Sequence, residues 1–494
     1  MSKEQKIFSY LYELGCCKIC CLRYLCVRNP DIYENVDKYI KEKQLLVGEV
    51  DLNEHVTKKL KSNPCIVCLG LLQDFCIGET VDKVASNGEV SSYDSIPFTC
   101  SVSFPACIQL REHSMRLNLE KIYPDFYTFE TMETQINKAW KWAIRHRLAE
   151  KLNKTFENSE TCDFAINIIM GYEFDTEELS VLLKMQPDMF SIRQVQHRKF
   201  RGELFSRKGV QTALSKTNAG VFYEHATVPP AVPTKGLTCD KIECNHNSIY
   251  LAGRYCKYSR ELSQTPWVIN GFKTMESSVQ EILFEPVQKF LNIAEDGLKF
   301  CSSGREDVDV RCLGRGRPFV IELLNPKKTQ FTFDEFRTLE NEVNKSELIN
   351  IRDLQLVHRN ELVHIKSGEE TKSKNYEALC VCKEPVTQDM IDLINKTAPV
   401  ELKQKTPIRV LHRRPLAVRD RVVYSMRAEL VPGKENLFKL HLTTQAGTYV
   451  KEFVHGDFGR TIPSLKTILD KDIDIVALDV TAINLDWPTM VMCS

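Results

Sequence analysis

The stretch Gly304-Arg305-Glu306-Asp307-Val308-Asp309-Val310-Arg311, GREDVDVR, sets three carboxylates and two arginines in eight residues. Valines alternate with acids in its second half, which predicts a half-buried strand. A carboxylate carried into such a place tends to take up a proton, because desolvation disfavours its charge, unless a fixed cation offsets the loss. Arg305 is one candidate for that cation. Lys451, in Ala446-Gly-Thr-Tyr-Val-Lys451, is a longer-range one. An ionised carboxylate shielded from water can act as a nucleophile. The same pairing also serves structure alone in many folds, and Asp309 is a rival to Asp307.

Around this stretch, residues 239–494 read as one large mixed sheet. Strands are expected at Ile249–Gly253, Phe319–Leu324, Tyr376–Cys382, Phe438–Thr444 and Leu478–Trp487, the last with a bulge near Ala482 where its alternation changes phase. A helix over about 278–293 carries Val279, Ile282, Leu283, Val287, Phe290 and Leu291 on one face. Ser278 and Glu281 are placed for a capping box, and Pro286 for a bend. Basic residues gather over 405–421, as Lys405, Arg409, His412, Arg413, Arg414, Arg419 and Arg421 against Asp420. Arg254, Lys257 and Arg260 interleave with Tyr255 and Tyr258, a mixture that suits stacked, single-stranded nucleotides. Leu313-Gly-Arg-Gly-Arg-Pro318 offers backbone amides for a phosphate. His412 and His455 have no visible triad or metal partner and receive no chemistry.

Upstream, residues 77–238 read as α+β, with a strand at Phe98–Phe104, a helix over 134–154 and a strand at Asp163–Met170. Arg193, Arg198, Lys199, Arg201, Arg207, Lys208 and Lys216 line either a phosphate-tracking groove or a solvated helix face. Pro229, Pro230 and Pro233 mark the boundary that follows. Residues 1–76 hold eight of the 19 cysteines. Cys17-Lys-Ile-Cys20 and Cys65-Ile-Val-Cys68 are two CxxC knuckles, whose spacing favours a four-sulfur site for a structural zinc ion over buried free cysteines and, less favoured again, a redox dithiol. A helical excursion over roughly 30–60 fills the gap between them. Cys16, Cys21, Cys26 and Cys76 lack the spacing.

The chain has 494 residues, 43% hydrophobic and 27% charged, with zero net charge. That is a globular composition for two to four domains. It excludes a wholly basic nucleic-acid binder but allows local basic patches. The start, MSKEQKIFSYLYELG, has no continuous apolar core, and no run of about 18 apolar residues occurs, so neither a secretory signal nor a membrane span is expected. The expectation is a soluble intracellular chain with mostly reduced thiols.

Three motifs in order then carry a resemblance. Gly-Arg-x-Asp (304–307) resembles the catalytic-aspartate motif of pseudouridine synthases, and it selects Asp307 over Asp309. Lys374-Asn-Tyr-Glu-Ala378 resembles their K-x-Y-x-A strand. Gly447-Thr-Tyr-Val-Lys451 resembles the GTYIR segment of the TruB branch, with lysine in place of arginine. More widely, GRYCKYSRELSQTPW (253–267), SSGREDVDVR (302–311), GRPFVIELLNP (316–326), QKTPIRVLHRRPLAVR (404–419) and TQAGTYVKEFVHGDFGRT (444–461) resemble the "Pus ten" type of tRNA pseudouridine synthase. The likeness is dense from about 240 onward. It is thinner before that, resting on the cysteine pairs, Leu69–Cys76 and Ser101–Pro105.

The resemblance implies an α+β fold: a pseudouridine-synthase catalytic domain with a mixed, mainly antiparallel sheet (239–494), a THUMP-containing RNA-binding domain (77–238) and a zinc-binding module (1–76). It implies isomerisation of uridine to pseudouridine in the TΨC arm of tRNA, at positions 54 and/or 55. Asp307 would be the nucleophile, Tyr376 would stack on the uracil, Tyr449 would bound the base pocket, and Lys451 would hold Asp307 charged through a single-point ion pair. Arg305, Arg413 and Arg414 would contact the substrate. Structural Zn2+ is expected and no organic cofactor, since substrate and product are isomers. tRNA is the expected partner, with other structured RNA open. The chain is expected to be a monomer, in cytoplasm and nucleus with a mitochondrial pool open. Two rival readings stand beside the enzyme. One is an RNA-binding adaptor in RNA processing, for instance of microRNA precursors, that works without catalysis. The other is a zinc-dependent interaction module.

Overall fold

Strict alternation over Phe98–Ser103 buries every second side chain, and the strand it forms anchors the first of two compact units, Met1–His246 and Asn247–Ser494. The structure is a computed structural model and describes residues 1–46, 63–128, 130–159, 161–191, 193, 203–269 and 271–491. Strands β1 (Pro97–Ser103), β2 (Thr155–Phe156), β3 (Phe164–Gly171) and β4 (Thr238–His246) form a sheet in the order β2-β1-β3-β4. β1 runs parallel to β2 and β3, and β4 is antiparallel to β3. Parallel neighbours need a crossover, and the helices Cys107–Ile122 and Ile136–Leu152 supply it.

The expected boundary near residue 238 lies eight residues too early, because β4 pairs along β3 from Gly171↔Thr238 to Phe164↔His246. Residues 1–76 do not stand apart either: one core runs from Ile7 through Ile66 and Leu69 to Phe164 and Cys244. The buried Arg111 fastens this union, with Nη1 donating to the carbonyls of Ile66 (2.7 Å) and Ala231 (2.9 Å). Of the expected excursion over 30–60, a 3-10 turn (Pro30–Tyr33) and a helix (Val36–Glu42) form, and 47–62 lie outside the described residues.

The second unit is built on β5 (Ile249–Lys257), a small hairpin of β6 (Val268–Ile269) and β7 (Phe272–Lys273), β8 (Leu298–Ser302), β9 (Arg311–Leu323), β10 (Ile349–Val357), β11 (Lys374–Cys382), β12 (Val400–Lys405), β13 (Val418–Leu430), β14 (Leu437–Thr444), β15 (Thr461–Ile462) and β16 (Ile473–Ile483). Its ten-stranded sheet runs β10-β5-β9-β16-β11-β14-β13-β12-β15, with β8 beside β9. Among the described residues every strand pairing in this sheet is antiparallel except β9 with β16, which touch over Arg311↔Asp479 and Cys312↔Val480. The sheet's two halves meet at this short parallel join, and the loop 303–310 enters there.

The helix Val279–Leu291 packs with Phe333–Val343 over one half, against Leu251, Phe319 and Ile351. Ser278 caps it as expected by accepting from the Glu281 N–H (3.3 Å), while Glu281 turns to the Ser278 hydroxyl (2.7 Å). The bulge expected near Ala482 falls at Thr481, where Ala482 and Val480 face adjacent residues of β11.

Candidate active site and metal centre

GREDVDVR is not a strand up to Arg311. Residues 304–310 form a loop, and β9 begins at Arg311. Buried side chains, not a ladder, satisfy its backbone. Lys257, fully buried, donates from Nζ to the carbonyls of Leu262 (2.9 Å), Asp307 (3.0 Å) and Val308 (2.7 Å). Gln264 Nε2 donates to the Gly304 carbonyl (3.0 Å) and the Tyr255 hydroxyl (2.8 Å). That hydroxyl lies 2.9 and 3.0 Å from the Glu306 carboxylate oxygens, which also accept from Arg317 Nε at 2.7 Å. Arg317 Nη1 donates to the Ser303 carbonyl (2.6 Å). Gly304 sits at φ +84°, where a Cβ would lie 3.1 Å from Arg317 Nη1, so glycine serves here both for conformation and for space. This network aims Glu306 inward and leaves Asp307 facing a cleft.

That cleft has a volume of about 430 Å³, and Asp307, Arg305, Tyr376, Tyr449, Lys451, Arg413 and Arg414 all line it. Every residue singled out around Asp307 therefore lines one cleft. The charge arrangement differs from expectation. Lys451 gives its hydrogen bonds to Asp309, at 2.8 and 2.6 Å, and stands 3.7 Å from Asp307 Oδ2. Arg409 Nη1 instead donates to Asp307 Oδ2 at 2.8 Å, and its Nε donates to the buried Glu452 at 2.6 Å. Arg413 Nη2 is 4.0 Å from Asp307 Oδ1. Arg305 lines the same cleft but is exposed.

Burial raises the Asp309 carboxyl, but the Lys451 hydrogen bond and charge outweigh it and hold the group below its ordinary range. Burial pushes the Tyr376 phenol up to about 12, so this ring stays neutral. Burial, with the Arg317 charge behind it, pushes the Lys374 ammonium at the start of β11 down to about 8. Tyr449 is pinned through its backbone by the buried Gln404, which exchanges two 3.0 Å bonds with the Tyr449 N–H and carbonyl.

In the first unit, Cys17, Cys20, Cys65 and Cys68 converge with all four sulfurs within 4.8 Å of one another. Four sulfurs each about 2.3 Å from a zinc ion define a tetrahedron with edges of about 3.8 Å. Cys17 Sγ and Cys68 Sγ are 3.8 Å apart. The Cys17 N–H points at Cys65 Sγ (3.2 Å) and the Cys20 N–H at Cys17 Sγ (3.4 Å), donors that suit thiolates. The donor set fits a metal ion. Cys16, Cys21, Cys26 and Cys76 lie outside this set.

Comparison with known proteins agrees with both units. The family described as "Pus10, C-terminal" matches residues 250–484, and "Eukaryotic Pus10, N-terminal" matches 65–244. The tRNA pseudouridine synthase Pus10 of Xenopus laevis is 36% identical over 515 aligned residues, covering 98% of this chain and 98% of that one. The chain belongs to the Pus10 family of tRNA pseudouridine synthases. The Homo sapiens member is 37% identical, over 94% of this chain and 86% of its own. The Pyrococcus furiosus member is 38% identical over 49% of this chain and 58% of its own. A chain of the solved Cbf5-Nop10-Gar1 complex, at 17% identity and TM-score 0.26 over 47% of this chain and 48% of that one, adds nothing to the assignment.

Several expected RNA contacts in this Pus10 family member are structural instead. Arg254, Tyr255 and Lys257 are buried, and Arg260 bonds Asp479 (2.6 Å) and the carbonyls of Asp309 and Leu478 (2.9 Å each). Gly314 and Gly316 lie inside β9, where a Cβ on Gly316 would meet the Tyr255 carbonyl oxygen at 2.5 Å. They permit close strand approach and leave no phosphate loop. Of the basic run, Arg409, Arg413, Arg414, Arg419 and Arg421 line the cleft. His455 Nδ1 accepts from the Asp457 N–H, and Asp457 braces a loop, in keeping with a scaffold role. In the first unit Arg198, Lys199 and Arg201 lie outside the described residues, and Arg207 stacks over Phe104 at 4.0 Å.

Proposed function

We propose that this chain converts uridine to pseudouridine in the TΨC arm of tRNA, at position 54, 55 or both, with Asp307 as nucleophile. The supporting observation is Asp307 itself. It is a 30% exposed carboxylate held by Arg409 in a cleft lined by two tyrosines and seven arginines. An exposed edge of a carboxylate is what attack requires, and the Arg409 hydrogen bond favours the charged form.

In this reading the target base leaves its stack and enters the cleft, at a cost of a few kcal/mol that aromatic and phosphate contacts offset. Tyr376 stacks on the uracil. Asp307 attacks ribose C1′ and displaces N1 of the uracil, the detached ring turns, and C5 then attacks C1′ and displaces the Asp307 carboxylate, which is regenerated. The proton on C5 is released and N1 ends protonated, so no atom is gained or lost. Splitting one hard step into two easier ones is the benefit of the covalent carboxylate. Tyr376, neutral because burial raises its phenol, would offer its hydroxyl as a hydrogen-bond donor at the ribose. Arg413, Arg414, Arg419 and Arg421 meet phosphates. Zinc on Cys17, Cys20, Cys65 and Cys68 would act as a cross-link between two knuckles. The chain works as a monomer, in cytoplasm and nucleus.

The test is Asp307→Asn, which keeps shape and removes the nucleophile. The variant is expected to bind tRNA as the wild type does and to form no pseudouridine. If it still forms pseudouridine, another group is the nucleophile. The adaptor reading instead requires that RNA processing in cells continue unchanged with this variant.

A further inference from the structure

After the helix Val450–His455 the backbone holds positive φ at four residues in succession: Gly456 (81°), Asp457 (45°), Phe458 (55°) and Gly459 (83°). Two of these are not glycine, and L side chains resist this region. The turn spends that strain on presenting Phe458, which is 96% exposed.

The turn is built and braced. The Asp457 carboxylate, 7% exposed, accepts the Ile408 N–H at 3.2 Å. Arg460 donates from Nε (3.2 Å) and Nη2 (2.7 Å) to the Thr406 carbonyl. Ile408 precedes Arg409, which grips Asp307. The turn that carries the ring is therefore tied to the same short segment that holds Asp307. Cations flank it. Exposed Lys403 and Lys405 lie on β12, which pairs with β15 just beyond the turn, and the Lys405 N–H donates to the Arg460 carbonyl at 2.9 Å.

We propose that Phe458 is a stacking platform for an unpaired nucleobase of the RNA substrate, distinct from the base that reacts. The proposal rests on the reading that the substrate is RNA. An exposed aromatic face on a braced turn accepts any base, and adjacent lysines take the phosphates. Held strain at an exposed residue is characteristic of positions that meet a ligand.

The test titrates the full-length wild type, F458A, F458G and F458W with a fluorescent TΨC stem-loop RNA, and records thermal midpoints. F458A and F458G are expected to weaken binding about tenfold, and F458W to keep it. F458G is expected to hold or raise the midpoint, since glycine relieves the left-handed strain. If wild-type protein binds and modifies the RNA while F458A binds within twofold of it, the platform is wrong and the proposed function stands. If F458G loses stability and affinity together, the ring is a structural element and the platform falls. If wild type binds no RNA, the substrate reading fails and takes the platform with it. A protein partner that F458A alone fails to bind, with RNA affinity unchanged, also overturns it.

Discussion

Arg409 Nη1 stands 2.8 Å from Asp307 Oδ2, and the same guanidinium reaches Glu452, so one arginine joins the loop 303–310 to the helix Val450–His455. Lysine cannot make both contacts. Losing one hydrogen bond to a charged group costs about 1.5–3 kcal/mol, so R409K should slow single-turnover pseudouridine formation roughly ten- to hundredfold. K451M, which mainly frees Asp309, should slow it less. A larger loss in K451M than in R409K would return Lys451 to the role of principal counter-ion.

Glu306 and Arg317 form a buried pair whose remaining valences go to Tyr255 and the Ser303 carbonyl. Removing one partner of such a pair strands a charge and costs about 3–5 kcal/mol. E306A should lower stability by that amount in denaturant titration. E306Q, which keeps a hydrogen-bond acceptor, should cost less. An E306A protein as stable as wild type would mean that the network does not hold the loop.

How much of this was legible in the sequence depends on how local the signal was. Gly304, Asp307, Tyr376 and Tyr449 sit in short motifs whose spacing survives without the fold, and all reach one cleft. Arg409 does not, because its partner lies 102 positions away and it is one of six lysines and arginines in a basic run. Lys257 and Arg254 looked like RNA contacts since charge beside aromatics reads as surface; their carbonyl partners become visible only when β5 and β9 pair. The alternation in GREDVDVR misled for a similar reason: Val310 is buried, but beneath a loop that Lys257 ties down. β12 was missed because its alternate face is charged, as an edge-side strand allows.

Lys374 gives a pH signature. Its ammonium is pushed from an ordinary 10.5 to about 8 by burial and Arg317, so the unfolded chain holds this proton more tightly than the folded one. The resulting penalty is full below about pH 8 and fades as pH rises toward 10.5. Wild type should therefore gain stability relative to K374M between pH 8 and 10. A constant difference across that window would show that Lys374 titrates normally.

The four-cysteine cluster should carry one metal ion per chain, and elemental analysis of purified protein should find zinc. Because such ions contribute folding free energy directly, strong chelators or C65S should lower the thermal midpoint of the Met1–His246 unit. Unchanged midpoints with no bound metal would make the cluster a set of packed thiols.

The most direct measurement is position-by-position mapping of pseudouridine in unmodified tRNA after incubation with purified wild type and D307N. New pseudouridine is expected at 54, 55 or both with wild type and none with D307N, at equal RNA binding. Pseudouridine made by D307N, or none made by wild type under conditions where it binds the tRNA, would contradict it.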